Sequence, residues 1–296
     1  MYMVTIYALC TIVIAALALS FVGIVPFAPF ALIGSFIVLL VSTYSSSILC
    51  AWTFGTQHNR TSSVITALIL FLTLAPGDSL LDFVKLVLVA GIATLSKYLL
   101  VWRGRHIFNP AAVALTAGTL LGLSSALWWV ATPALLPVVV ASGLVIVAKT
   151  RRYGMVTVFI GVALITSACT ALITKYPVLD ALQLDVTSGP LVFFAAIMLT
   201  EPLTSPGTKR QQWLYAVVVG VLYSAQIPWL SVPNITLLAG NLLTAMLVRR
   251  SATRLRVVRV SEIAPRTYEL LAKPLHTLRY TPGQYMELQV PQYSPR

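Results

Sequence analysis

Two short stretches decide the fold: Leu72-Thr73-Leu74-Ala75-Pro76 and Leu199-Thr200-Glu201-Pro202. Each ends an apolar run at a proline, which lacks an amide donor and clashes with the preceding helical turn. Pro76 and Pro202 lie 126 positions apart, and Asn109 and Asn234 lie 125 apart. Hydropathy around these anchors divides the chain into spans near 3–25, 28–54, 63–75, 80–101, 107–124, 126–148, 154–174, 189–203, 211–227 and 233–248. Residues 1–124 hold five of them and 125–248 hold five more, and the short, proline-broken span is the third of each set. Five is odd, so the second set enters a bilayer from the opposite side. The expected fold is an all-α polytopic membrane protein with about ten transmembrane segments in two inverted five-helix repeats. Paired broken helices at corresponding positions point to a site near the membrane midplane.

The composition agrees with that class. The 296 residues are 58% hydrophobic and 9% charged, with a mean hydropathy of +0.89. A soluble domain carries about 25% charged residues, and a disordered chain combines low hydrophobicity with high charge. Residues 1–57, 107–148, 153–174 and 211–248 contain no Asp, Glu, Lys or Arg. The net charge of +12 divides evenly: 11 basic and 5 acidic residues precede Arg249, and 9 basic and 3 acidic follow from it. The basic residues stand in clusters between apolar runs, not along one polar face, so no nucleic-acid partner is expected. With a cytoplasmic N-terminus and ten crossings, Arg60, Arg103, Arg105, Lys149, Arg151, Arg152, Lys209, Arg210, Arg249 and Arg250 fall inside. Only Lys85 and Lys175 fall near the outer side. That bias predicts a multi-pass plasma-membrane protein with both termini cytoplasmic. Trp102, Trp128, Trp129, Trp213 and Trp229 sit near span ends, where interfacial aromatics collect.

Few residues can carry chemistry. Cys10, Cys50 and Cys169 are isolated in apolar runs and read as buried thiols. His58, His106 and His276 lack partners at metal-ligand spacing. Asn109 precedes Pro110, so it can cap the fifth span while proline takes the first helical position. The same helix start, with Arg103, Arg105 and Phe108 beside it, can attract an anion such as a flavin phosphate. Glu201 is the acid embedded in the second set of spans. It can assist proton or cation passage, pair with Lys97, or lie at the interface beside Lys209 and Arg210. Lys97, near the inner end of the fourth span, can snorkel to the interface.

After residue 250 the pattern changes to alternation, in 254–260, 267–272 and 285–290, with turns at Glu262-Ile-Ala-Pro265 and Pro282-Gly283. Residues 251–296 read as three antiparallel strands on the cytoplasmic side. About 46 residues make a poor independent core, so this tail is expected to be either incomplete here or completed by another chain.

Two resemblances converge on these residues. The membrane part, 1–250, resembles the NqrB/RnfD family, whose members are membrane components of the Na⁺-translocating NADH:quinone reductase and of the Rnf electron-transport complex. Thr66–Pro76, the Lys97 region, Phe108-Asn-Pro-Ala-Ala112, Met198-Leu-Thr-Glu-Pro-Leu-Thr-Ser-Pro206 and Asn241 carry it. It implies ten helices in two inverted halves, like urea and ammonium channels, with Asn109, Thr200 and Glu201 at the site and Lys97 and Glu201 on an ion pathway. The tail is similar to the start of a ferredoxin–NADP⁺ reductase-type FAD-binding barrel, through Thr267-Tyr-Glu-Leu270 and Leu278-Arg-Tyr-Thr-Pro282-Gly283-Gln284-Tyr285-Met-Glu-Leu288. FAD would bind the complete barrel, and the membrane domain can take a non-covalent FMN. The family's Ser-Gly-Ala-Thr attachment motif is absent, with Ser188-Gly-Pro190 the nearest text, so covalent FMN is not expected. Together the resemblances imply part of an NAD(P)H-dependent, flavin-linked electron-transfer oxidoreductase without its nucleotide-binding domain. Its partners would be the bilayer, other electron-transport subunits, and a quinone or ferredoxin-type protein. The alternative is a non-redox channel or carrier for a small solute or ion.

Overall fold

Several helices in this chain begin where a side chain or a proline can deal with the first free amides. The computed structural model describes residues 2–102, 105–247, 255–265 and 267–275. They form two units, Met1–Val248 and Arg249–Arg296. In the first, α1 (Tyr2–Phe21), α2 (Pro29–Thr53), α3 (Arg60–Thr73) and α4 (Leu80–Leu99) lead to a two-residue hairpin, β1 (Val101–Trp102) with β2 (Arg105–His106), and then to α5 (Pro110–Leu120). The chain continues through α6 (Leu136–Thr150), α7 (Tyr153–Thr174), α8 (Val178–Thr187) and α9 (Leu191–Phe193), which runs on as a π-helical turn, Phe194–Met198. It closes with α10 (Lys209–Ser224) and α11 (Pro233–Leu247). Asn59, Ser79, Asn109 and Thr208 accept from the amide three residues on and so cap α3, α4, α5 and α10.

The two sets of helices pack in the same order. α2 packs on α3 and α4, and α4 on α5; α7 packs on α8 and α10, and α10 on α11. α1 lies on α3 as α6 lies on α9 and its π-turn. α5 and α11 cross antiparallel, because Asn109 meets Asn241 while Thr116 meets Asn234.

α1, α2 and α7 are long and apolar enough to cross a membrane, and α8 with α9 makes a fourth candidate, bent by 56°. Their outer faces leave large apolar side chains such as Ile14, Phe30 and Ile165 exposed. α3, α5, α6 and α11 are apolar but have only 14, 11, 15 and 15 residues. At 1.5 Å per residue such helices fall short of a bilayer unless loops complete them.

The structure departs from the hydropathy reading in three places. The sixth span does not begin at residue 126: helix starts only at Leu136, and Trp128, Trp129 and Val130 are buried in an irregular segment rather than interfacial. The reason lies in α3. Pro76 stops that helix early, and the carbonyls it leaves need donors. Trp129 Nε1 donates to the Phe71 carbonyl at 2.8 Å, Val130 N to Leu72 at 3.3 Å and Trp128 N to Thr73 at 2.9 Å. Second, the eighth segment begins earlier than residue 189: α8 precedes it, carrying Asp180 and Asp185, and Gly189-Pro190 makes the bend. Glu201 is therefore not the sole acid there. Third, β3 (Leu255–Ala264) runs through Glu262-Ile-Ala, and pairs antiparallel with β4 (Thr267–Pro274) up to Ala264↔Thr267. The expected third strand lies outside the described residues.

The matched Leu-Thr text now has a cause. Thr73 Oγ1 donates to the Ile69 and Leu70 carbonyls at 2.7 and 3.3 Å, and Thr200 Oγ1 to the Ala196 and Ile197 carbonyls at 2.7 and 3.3 Å. Each threonine satisfies the last turn of a helix that a proline is about to end.

Trp129→Phe should therefore leave a buried carbonyl unpaired and lower stability by about 1–3 kcal/mol, whereas Trp102→Phe, at an exposed position, should leave the denaturation midpoint in detergent unchanged. Lys175 ends α7 with φ 57°; Lys175→Gly should raise stability by about 1 kcal/mol, read by the same denaturation.

Candidate functional site

Asn109 is the centre of the polar groups at one end of the helices. Its Oδ1 accepts from Ala112 N at 3.1 Å, and Pro110 takes the first helical position, as the cap reading expects. That leaves the Nδ2 group and the backbone amide, both buried, to find acceptors elsewhere. Nδ2 donates to Glu201 Oε2 at 2.8 Å, and the amide donates to Asn241 Oδ1 at 2.8 Å. Asn241 Nδ2 in turn donates to the Thr204 carbonyl at 3.3 Å, and Thr204 Oγ1 donates to Glu201 Oε2 at 3.0 Å. The two motifs, 92 residues apart in sequence, thus close a ring through α11.

Glu201 is anchored from below as well. Ser205 Oγ donates to the Glu201 carbonyl, and the buried Arg152 donates through Nη1 to Ser205. His106 Nε2 lies 4.0 Å from Glu201 Oε1. Glu201 thus bonds to Asn109 and Thr204, and among the described residues no ion pair joins it to Lys97, Lys209 or Arg210. Lys97 Nζ donates to the Ser62 carbonyl at 3.1 Å and to Ser62 Oγ at 3.0 Å, tying α4 to the first turn of α3.

Between these groups lies a cavity of ≈ 40 Å³, bounded by Asn59, Ser62, Thr66, Asn109 and Glu201. That volume suits one water or a small cation. Drug-sized ligands take about 300 Å³ or more, so a flavin ring needs the surrounding segments to part. Thr200 does not face this space with its hydroxyl, which is held by its own helix. Phe108 is half-buried ahead of the cap. Arg105 belongs to β2, and Arg103, Pro282, Gly283, Gln284 and Tyr285 lie outside the described residues.

His58 precedes Asn59 in the loop between α2 and α3. Ser47 Oγ lies 3.0 Å from its Nδ1, and the Tyr44 ring meets it edge-on with centroids 4.8 Å apart. Burial first, then the Arg60 and Lys97 charges, hold its pKa below the usual histidine value.

Composition and spacing did not reveal Arg152, Ser205, Thr204 or Ser62. Arg152 sits in a basic cluster that orientation alone explains, and only packing separates it from exposed Arg151. Asn241 was marked only by resemblance. No protein-family model matches the chain, and no curated protein matches it.

Glu201→Leu would leave the Asn109 and Thr204 donors unpaired. It should cost about 1.5–3 kcal/mol, and a double-mutant cycle with Asn109→Ala should show coupling of about 1–3 kcal/mol in chemical denaturation. For His58, the unfolded chain holds its proton up to a pKa of about 6.5, the folded chain only to a lower value. The unfolded state therefore binds more protons in that window, and stability falls as pH drops through it. The midpoint of thermal unfolding should fall between about pH 7 and pH 5 in the wild type and fall less in His58→Gln.

Proposed function

We propose that this chain is the membrane-bound part of a flavin-dependent, NAD(P)H-linked electron-transfer oxidoreductase, with about ten segments in two inverted five-helix repeats and both termini cytoplasmic. The observation that carries the reading is the Asn109–Glu201 hydrogen bond, 2.8 Å long. It joins the Phe-Asn-Pro and Met-Leu-Thr-Glu-Pro motifs on which the resemblance to the Na⁺-translocating reductase and Rnf proteins rests. The repeat is supported by the threonine-proline helix ends and by the crossed pairs of α5 and α11. In those pairs Asn109 meets Asn241, and Asn234, 125 positions after Asn109, meets Thr116, 125 positions before Asn241. Such reciprocity is what a two-fold axis generates. FAD in the completed C-terminal barrel would accept hydride from the nicotinamide, and non-covalent FMN in the membrane part would pass electrons towards a quinone or a ferredoxin-type partner. The flavin performs the redox chemistry and the protein sets its orientation and surroundings.

The test is direct. Full-length protein purified in detergent should carry flavin absorption, bleached by NADH or NADPH and restored by a quinone. A purified protein without flavin overturns the reading. The second reading, a non-redox channel or carrier, draws on the ≈ 40 Å³ polar cavity, which suits an ion or water. It expects liposome flux of a small cation that NADH leaves unchanged.

A further inference from the structure

The opposite end of α3 opens into a larger recess of ≈ 410 Å³, between the Ala75-Pro76 break, the start of α4 and the end of α5. Asp82 and Lys85 stand on its wall with Thr119, Ser124 and Ser125. Both charged side chains are about one-third exposed, and they face each other at 3.7 Å. That is beyond hydrogen-bond length. Asp82 Oδ2 takes a bond from Ser79 Oγ, while Lys85 Nζ makes none among the described residues. One carboxylate and one ammonium with unused donors thus line a recess that also offers hydroxyls.

The scaffold does not require these charges. α10 starts with the same capping arrangement as α4: Thr208 Oγ1 accepts from Gln211 N and bonds the Gln211 side chain, as Ser79 does with Asp82. Gln211 serves there in place of Asp82, and Leu214 stands where Lys85 stands in α4. The ion pair is therefore an addition peculiar to one end. Around it the surface is apolar: Leu80, Leu81 and Val84 of α4 and Leu120 and Leu121 at the end of α5 are exposed.

We propose that this recess binds the headgroup of an ethanolamine phospholipid, Lys85 taking the phosphodiester, Asp82 the primary ammonium, and the exposed leucines the start of the acyl chains. The proposal rests on the membrane reading above, but not on its flavin chemistry. Charge complementarity selects a zwitterion over an anionic lipid such as phosphatidylglycerol, which offers Lys85 a phosphodiester but gives Asp82 no cation. Hydrogen bonding to Asp82 selects a primary ammonium over a trimethylated one, which has no donor.

The experiment is thermal unfolding of the full chain in detergent with added lipid, together with native mass spectrometry of lipids retained on purification. Phosphatidylethanolamine should raise the midpoint more than phosphatidylcholine or phosphatidylglycerol at equal concentration, and one such lipid should stay bound. Lys85→Gln and Asp82→Asn, which preserves the contact with Ser79, should each abolish the preference, and Lys175→Gln should keep it. Equal shifts from all three lipids, or an unchanged preference in both variants, would overturn the proposal. An equal shift from soluble phosphoethanolamine would also overturn it, assigning the recess to a free zwitterion. Protein that stays monodisperse without detergent would defeat the membrane reading itself, a result distinct from loss of lipid preference.

Discussion

A helix that stops inside an apolar interior leaves carbonyls with no water to bond, and each must find a donor or cost several kcal/mol. Most of the irregular structure here answers that demand. α3 ends at Thr73, and the segment around Trp128 is folded inward to supply two amides and an indole. The helix that ends near Leu199 is served differently. Thr200 covers its last turn, the π-turn re-spaces its bonds, and Ser205, held by Arg152, takes the Glu201 carbonyl. The polar groups that look like a site at Asn109 are continuous with this repair.

The same constraint explains which features could be read in the sequence. A capping residue acts on amides three positions away, so Asn109-Pro110 announces itself locally, as do the proline stops. The strand alternation of the tail is likewise local, and β3 and β4 follow it. The inward fold of Trp128 and Trp129 is not local: two tryptophans at the start of an apolar run look like an interfacial belt, and only the unmet carbonyls of a helix more than fifty residues earlier draw them in. Glu201 shows the same limit. Its charge was conspicuous, yet its partners proved to be amide and hydroxyl donors, not the lysines and arginines that simple electrostatics suggested. Asp180 and Asp185 interrupted hydropathy enough to hide α8 altogether.

The two ends of the helical unit differ in charge although both carry a proline stop and a capped helix start. The residue before the proline is Ala75 at one end and Glu201 at the other. Beyond it, a capping box carries Asp82 with Lys85 in one case and Gln211 with Leu214 in the other. The narrow end is closed around a carboxylate bound to asparagine and threonine, and the wide end is open and zwitterionic. Two ends built with the same proline stop and the same helix cap can thus carry unlike chemistry while the helices behind them pack alike.

The crossed asparagine pairs also have a consequence in time. The Asn109 amide meets Asn241, 132 residues later. At about 5–20 residues per second that partner leaves the ribosome roughly 7–26 s afterwards. By contrast, the segment that completes α3 follows it within 58 residues. The broken end of α3 can therefore be completed early in synthesis, by the segment around Trp128, whereas the Asn109 amide must wait for α11. Assembly of the two sets is thus held until α11 has been made, and a chain stalled before it would leave that amide without its Asn241 partner.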